Sequence, residues 1–104
     1  MKEARIVMPC ASSIDGWGDI HNRLTHGLCH IFGGCTKTIG SGCWFDPKGK
    51  MIAETVLIYD VAMDDTDANV GHLCRIAEHY GRELKQHSIY VRRPDGRVFI
   101  TELK

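Results

Sequence analysis

The order of periodic segments along this chain predicts an α+β fold, an antiparallel sheet with two helices on one face. Three observations predict it. Apolar residues recur at spacings of three and four from Ile14 to Ile31 and again from Val70 to Leu84, the stripe of an amphipathic helix. From Met51 to Val61 they alternate, the period of a strand with one buried face. Turn residues at Pro47-Lys48-Gly49 and at Arg93-Pro94-Asp95-Gly96 separate short β-rich runs, which marks two hairpins. The resulting order is β-α-β-β-α-β with an extra C-terminal strand, the split βαβ or ferredoxin-like arrangement.

Each element has its own signals. Arg5 to Pro9 is a short β-run closed by Pro9, which has no N–H to give to a ladder. Ser12 and Ser13 offer an N-cap, and Asp15 suits the positive end of the helix that follows. Ile14, Trp17, Ile20, Leu24, Leu28 and Ile31 form its stripe, weakened by Gly16, Gly18 and Gly27 and ended by Gly33-Gly34. Two strands follow, about Cys35 to Phe45 and Met51 to Val61. In the second, Ala53, Thr55, Leu57, Tyr59 and Val61 share the expected core face, and Ile52, Glu54, Val56, Ile58 and Asp60 the other. The acidic run Asp64-Asp65-Thr66-Asp67 caps a second helix with the stripe Val70, Leu73, Ala77, Tyr80 and Leu84. Ser88 to Val91 and Val98 to Ile100 make the last hairpin. Such a sheet leaves one face bare, and a bare face is commonly buried by a second subunit or a ligand, so a homodimer is expected.

Composition narrows the function classes. The 104 residues suit one domain, 1–104, with a modest core. Lys plus Arg and Asp plus Glu are 13 each, so net charge is zero and a broad electrostatic grip on nucleic acid is disfavoured. No apolar run approaches the roughly 20 residues that span a bilayer, and no secretory signal is visible, so no membrane partner and a cytoplasmic setting are expected. The five cysteines include no CxxC, and their odd number fits reduced thiols.

The stretch from Gly33 to Glu54 is unusual for a strand. Gly40-Ser41-Gly42 precedes Cys43-Trp44, and Glu54 is a lone carboxylate in an apolar strand. Glycine in a strand marks a bulge or a place where something approaches the backbone. Glu54 could act as a general acid or base if burial raises its pKa, or could pair with Lys37 or Lys50 across the hairpin. Arg92, Arg93 and Arg97 gather at the last hairpin, near Arg5, and could hold a phosphate or a carboxylate. Trp44, Glu54, Arg92, Arg93 and Arg97 are therefore the candidate binding residues. His26 and His30 stand four apart on the first helix, a spacing that can share a metal, but HEXXH is absent and both lie opposite the Leu24/Leu28 stripe, so no metal and no cofactor are expected.

Gly33-Gly34-Cys35-Thr36, Gly40-Ser41-Gly42-Cys43-Trp44, Gly49, Glu54 and Gln86-His87-Ser88-Ile89-Tyr90-Val91 together resemble a group of small uncharacterised proteins from phages, plasmids and bacterial genomes. Their pattern reads GGxT, GxGxW, then G and E, with a QExV-like strand start. Here His87-Ser88 replaces the usual Glu-Ala or Glu-Ser, so His87 inherits no role. The resemblance implies an accessory protein of a phage or mobile element that acts by binding a host protein or complex, such as an inhibitor of a host defence system of the anti-CRISPR or another anti-defence kind. A small-molecule enzyme using Glu54 and a histidine in a pocket near Trp44 is the alternative. A metal-binding module using His26 and His30 is a third reading. A small phosphorylated ligand is a further class of partner that the arginines could hold.

Overall fold

Strand β1 (Lys2–Pro9) lies at the centre of the sheet, and its alternation sets the two faces. It is followed by α1 (Trp17–Phe32), β2 (Thr36–Phe45), β3 (Met51–Met63), α2 (Asp67–Glu83), β4 (Ser88–Arg92) and β5 (Val98–Glu102) in a computed structural model that describes residues 1–103. The strand order is β2-β3-β1-β4-β5, and every neighbouring pair is antiparallel. β3 is thus inserted between β1 and β2, as the ferredoxin-like arrangement requires, and β5 extends the sheet beyond β4.

Alternate residues of three strands face the helices. Ala4, Ile6 and Met8 of β1, Leu57, Tyr59, Val61 and Met63 of β3, and Ile89 and Val91 of β4 pack against Ile20, Leu24 and Leu28 of α1 and Leu73, Ala77 and Leu84 near α2. Gly81 marks the closest approach of α2 to the sheet. A Cβ there would stand 2.7 Å from Ile89 Cγ2 and 2.8 Å from Leu103 Cδ1, inside van der Waals contact. At the start of α2, Thr66 Oγ1 accepts from the Asn69 N–H at 3.2 Å, the cap that the acidic run predicts.

Three features differ from the sequence expectation. Ser12 and Ser13 do not cap α1. The Cys10 N–H donates to the Thr55 carbonyl and the Ile14 N–H to the Ala11 carbonyl, both at 2.9 Å, so the chain turns before the helix can begin. Gly16, at φ 77°, then takes the cap position, a left-handed conformation that suits a residue without Cβ. The helical stripe is also rotated. Trp17 and Ile31 are exposed, and His21 is buried in their place at 2 % exposure.

His21 tolerates burial because both ring nitrogens are partnered. Nε2 lies 3.1 Å from the Cys10 carbonyl and Nδ1 lies 2.6 Å from the Tyr59 hydroxyl. A carbonyl only accepts, so Nε2 carries the hydrogen and Nδ1 accepts from Tyr59. The third difference concerns β3. Ala53 and Thr55, expected in the core, are exposed, because the helix layer covers only the C-terminal half of β3 and the outer end of the β2–β3 hairpin projects beyond it. Phe45 and Met51 stand on that projection, and Ile39, at 77 % exposure, lies on the outer strand β2 opposite Leu57.

Burial holds the His21 pKa below its ordinary value, against the opposing effect of its backbone partners. The unfolded chain therefore binds this proton more tightly than the folded one. Stability from the site is full above about pH 6.5 and is lost as the pH falls through that value. Urea unfolding between pH 8 and pH 5 should show this slope, and His21→Gln should flatten it. An equal slope in the variant would assign the effect to other histidines.

Candidate functional site

The site is built by the register of β2 against β3. Gly40 pairs with Val56, Gly42 with Glu54 and Trp44 with Ile52, and paired residues point to one face. That face is the one without helices. Val56 and Ile58 fill the room that the glycines leave: a Cβ at Gly42 would meet Val56 Cγ1 at 3.2 Å, and one at Gly40 would meet Ile58 Cδ1 at 3.2 Å. The glycines thus leave a low apolar floor with Glu54 rising at its end.

Across the sheet the same face carries Val7 of β1, Tyr90 of β4 and Ile100 of β5, which are consecutive register partners. With Pro9, Trp44, Glu54 and Val56 they line a groove of about 410 Å³. A second depression, of about 340 Å³, runs between Pro9, Trp44, Glu54 and the segment Gln86 to Ser88. A third, of about 380 Å³, lies between Glu54, Thr55 and the loop Cys10 to Ser13. Glu54 is common to all three.

The Glu54 carboxylate has no hydrogen-bond or ion-pair partner among the described residues. Neither lysine named as a cross-hairpin partner reaches it. Lys37 lies on the opposite face, its Nζ 5.6 Å from the centre of the Tyr59 ring. Burial pushes the Glu54 pKa up, with no cation to offset it. Such a group can attract a cationic ligand or take a proton.

Trp44 and Glu54 are brought together, and the three arginines stand apart from them. Arg92 shares the open face and pairs in register with Arg5. Each of these arginines has a carboxylate: Arg5 forms a forked pair with Asp60 at 2.7 and 3.1 Å, and Arg92 lies 3.5 Å from Glu3. Arg97 pairs with Asp95 at 2.7 Å in the exposed turn. The Nε of Arg93 is buried without a partner, and its N–H closes the hairpin on the Arg97 carbonyl at 2.8 Å. His26 and His30 are exposed on α1, and the described residues hold no cluster of three metal-ligating side chains.

Sequence reasoning did not single out Val7, Tyr90 or Ile100, and it gave His87 no role. A signal existed for Tyr90, which sits between the core residues Ile89 and Val91 and so must face the other way. No local signal exists for His87. It reaches the depression beside Glu54 only because β4 pairs with β1, whose end carries Pro9.

The fold and site define an α+β protein with a groove on its open sheet face. No family model matches the chain, and no curated protein matches it in sequence. Its fold matches solved structures of a phage SAM lyase. The complex with S-methyl-5′-thioadenosine matches with a TM-score of 0.71 at 14 % identity, over 96 % of this chain and 88 % of that one. The apo state matches with a TM-score of 0.73 at 13 % identity, over 98 % and 89 %. These likenesses correct the expectation of a protein that acts only by binding a host protein or complex. Both of these structures are of an enzyme, one of them holding a small molecule, and the small-molecule enzyme alternative fits better. The histidine that lines a depression with Trp44 and Glu54 is His87.

An unpartnered, half-buried carboxylate costs stability when charged. Glu54→Gln should therefore leave the unfolding free energy at pH 7 within about 0.5 kcal/mol of the parent or raise it. Stability of the parent should rise as the pH falls through the raised Glu54 pKa, since the folded state gains affinity for this proton. Urea unfolding of both proteins checks this, and a loss above about 1 kcal/mol in the variant would reveal a structural ion pair.

Proposed function

We propose that this protein is a small-molecule lyase that takes a sulfonium nucleoside of the S-adenosylmethionine type in the groove beside Glu54. The observation that carries the reading is a half-buried carboxylate without a cation, at the meeting of three depressions, in a fold shared with a SAM lyase. A sulfonium is a fixed cation with carbon substituents. An apolar groove holding one unpaired carboxylate complements it, because attraction between charges grows where water is partly excluded. Trp44 and Tyr90 offer ring faces for a purine, and Val7, Val56 and Ile100 offer apolar walls.

Release of S-methyl-5′-thioadenosine breaks the bond between sulfur and the γ carbon of the methionine chain. The electron pair goes to sulfur, which becomes a neutral thioether. The carbon chain must then lose a proton or accept a nucleophile. In this reading Glu54 holds the cation and takes a proton, and its pKa, raised by burial, supports the second role. His87 supplies a second titratable group in the adjoining depression. A small phosphorylated ligand has less support, since none of Arg92, Arg93 and Arg97 lines the three depressions.

A phage protein with this activity would act against a host defence by consuming the methyl donor, and would do so in the cytoplasm. Ile39, Phe45 and Met51 on the β2–β3 hairpin, with Val98 and Ile100 on the outer strand β5, are exposed apolar groups that support a homodimer. Light scattering at micromolar concentration should give twice the chain mass, and a monomer would remove the dimer. Purified protein given S-adenosylmethionine should release S-methyl-5′-thioadenosine, read by chromatography. Glu54→Gln should slow that release by about a hundredfold or more. Unchanged release in the variant would remove Glu54 from the reaction. Neither turnover nor binding of the thioadenosine in the parent would remove the lyase reading.

A further inference from the structure

We infer that Cys29 and Cys35 form a redox-responsive dithiol, a site of reversible intrachain disulfide formation that ties the end of α1 to the start of β2. Their Sγ atoms stand 4.0 Å apart. Cys29 is exposed on the last turn of α1, and Cys35 is half-buried immediately before β2. Gly33, at φ 90°, turns the chain between them and donates its N–H to the Cys29 carbonyl at 2.9 Å. This left-handed cap brings residue 35 back beside the last helical turn. A disulfide needs its sulfurs at about 2.05 Å, an approach within reach of rotations about the two Cα–Cβ bonds. Cys10, Cys43 and Cys74 have no such sulfur neighbour among the described residues.

The two thiols differ in a way that orders the chemistry. Cys29 meets solvent, whereas burial and the neighbouring Cys29 push the Cys35 thiol up. A depression of about 340 Å³ lined by Phe32, Gly33, Gly34, Cys35 and Asp60 opens beside Cys35, and a small molecule reaches Cys29 from solvent. The oxidant is a low-molecular-weight disulfide of the glutathione class. The Cys29 thiolate attacks one of its sulfurs and releases the first small thiol. The Cys35 thiolate then attacks the Cys29 sulfur of the mixed disulfide and releases the second. The protein loses two electrons and two protons, and the small disulfide gains them as two thiols.

The link would fasten the root of β2, the strand that carries Gly40, Gly42 and Trp44 into the groove. It does not depend on which reaction that groove supports.

The test is oxidation of the purified chain, at low micromolar concentration, by glutathione disulfide. Acid quenching, alkylation and tryptic digestion precede mass spectrometry. Cleavage after Arg23 and Lys37 leaves both cysteines, and no others, in one peptide. That peptide should be lighter by two hydrogen atoms, and reductant should restore it. The equilibrium constant for closure should be at least about tenfold larger in the folded protein than in urea, because the fold holds the sulfurs together. Cys35→Ser should trap glutathione on Cys29. A stable glutathione adduct on Cys29 in the parent, cross-links between chains in place of the internal one, or equal closure in urea would each overturn the inference. The urea comparison decides even if Cys35→Ser does not fold.

Discussion

The pairing of β1 with β3, from Lys2 against Met63 to Pro9 against Val56, governs the rest of the molecule. Side chains alternate with a period of two, so a slip of one residue would move Ile6, Met8 and Tyr59 out of the core and Arg5 and Asp60 into it. The burial of Ile6, Met8 and Tyr59 against the helices excludes that slip. The same ladder also decides where the groove lies. β1 stops at Pro9, while β3 starts earlier, at Met51. Glu54 therefore has Gly42 on one side and the departing chain at Cys10 on the other, and depressions open where strand neighbours would otherwise stand.

The open face is divided between two kinds of surface. At one end Arg5, Asp60, Arg92 and Glu3 satisfy one another. The looser Arg92–Glu3 pair contributes little stability, but together with the part-buried Arg5–Asp60 fork it engages the arginines that would otherwise be free to grip a phosphate. At the other end a single carboxylate stands among apolar side chains. The chain has equal numbers of acidic and basic residues, yet this patch has an unanswered negative charge. Neutrality overall and a polarised groove are compatible because salt screens exposed charges beyond about 10 Å, so a group bound in the groove senses mainly its nearest neighbours.

Periodicity made the helices, the hairpins and the strand order legible, since each depends on which residues are apolar and at what spacing. Glu54 and Trp44 were legible for the same reason: a carboxylate in an apolar strand and a Trp between glycines are local anomalies. The beginning of α1 was not, because hydrogen bonds from Cys10 to Thr55 and from Ile14 to Ala11 outweigh the capping preference of Ser12 and Ser13. No local signal marks His21 as buried. Its burial depends on Tyr59, 38 residues away, and on a carbonyl exposed by the turn after β1. The arginines looked like a cluster because they are close in sequence. In a strand and turn, neighbours in sequence point in different directions: Arg92 meets Glu3, Arg97 meets Asp95, and the Arg93 Nε is buried without a partner among the described residues.

Gly40 and Gly42 have an effect beyond the groove that they open. β2 is an outer strand, and the edge it turns away from β3 offers unpaired N–H and C=O groups to any other chain. Long outer strands rich in branched residues are templates for aggregation. Glycine weakens that template, because it resists being fixed in an extended conformation and gives a passing strand no side chain to pack against. The residues that keep the groove shallow thus also keep the protein's longest free edge from recruiting a neighbour. Sequence changes that stiffened β2 would narrow the groove and make the edge adhesive in the same stroke.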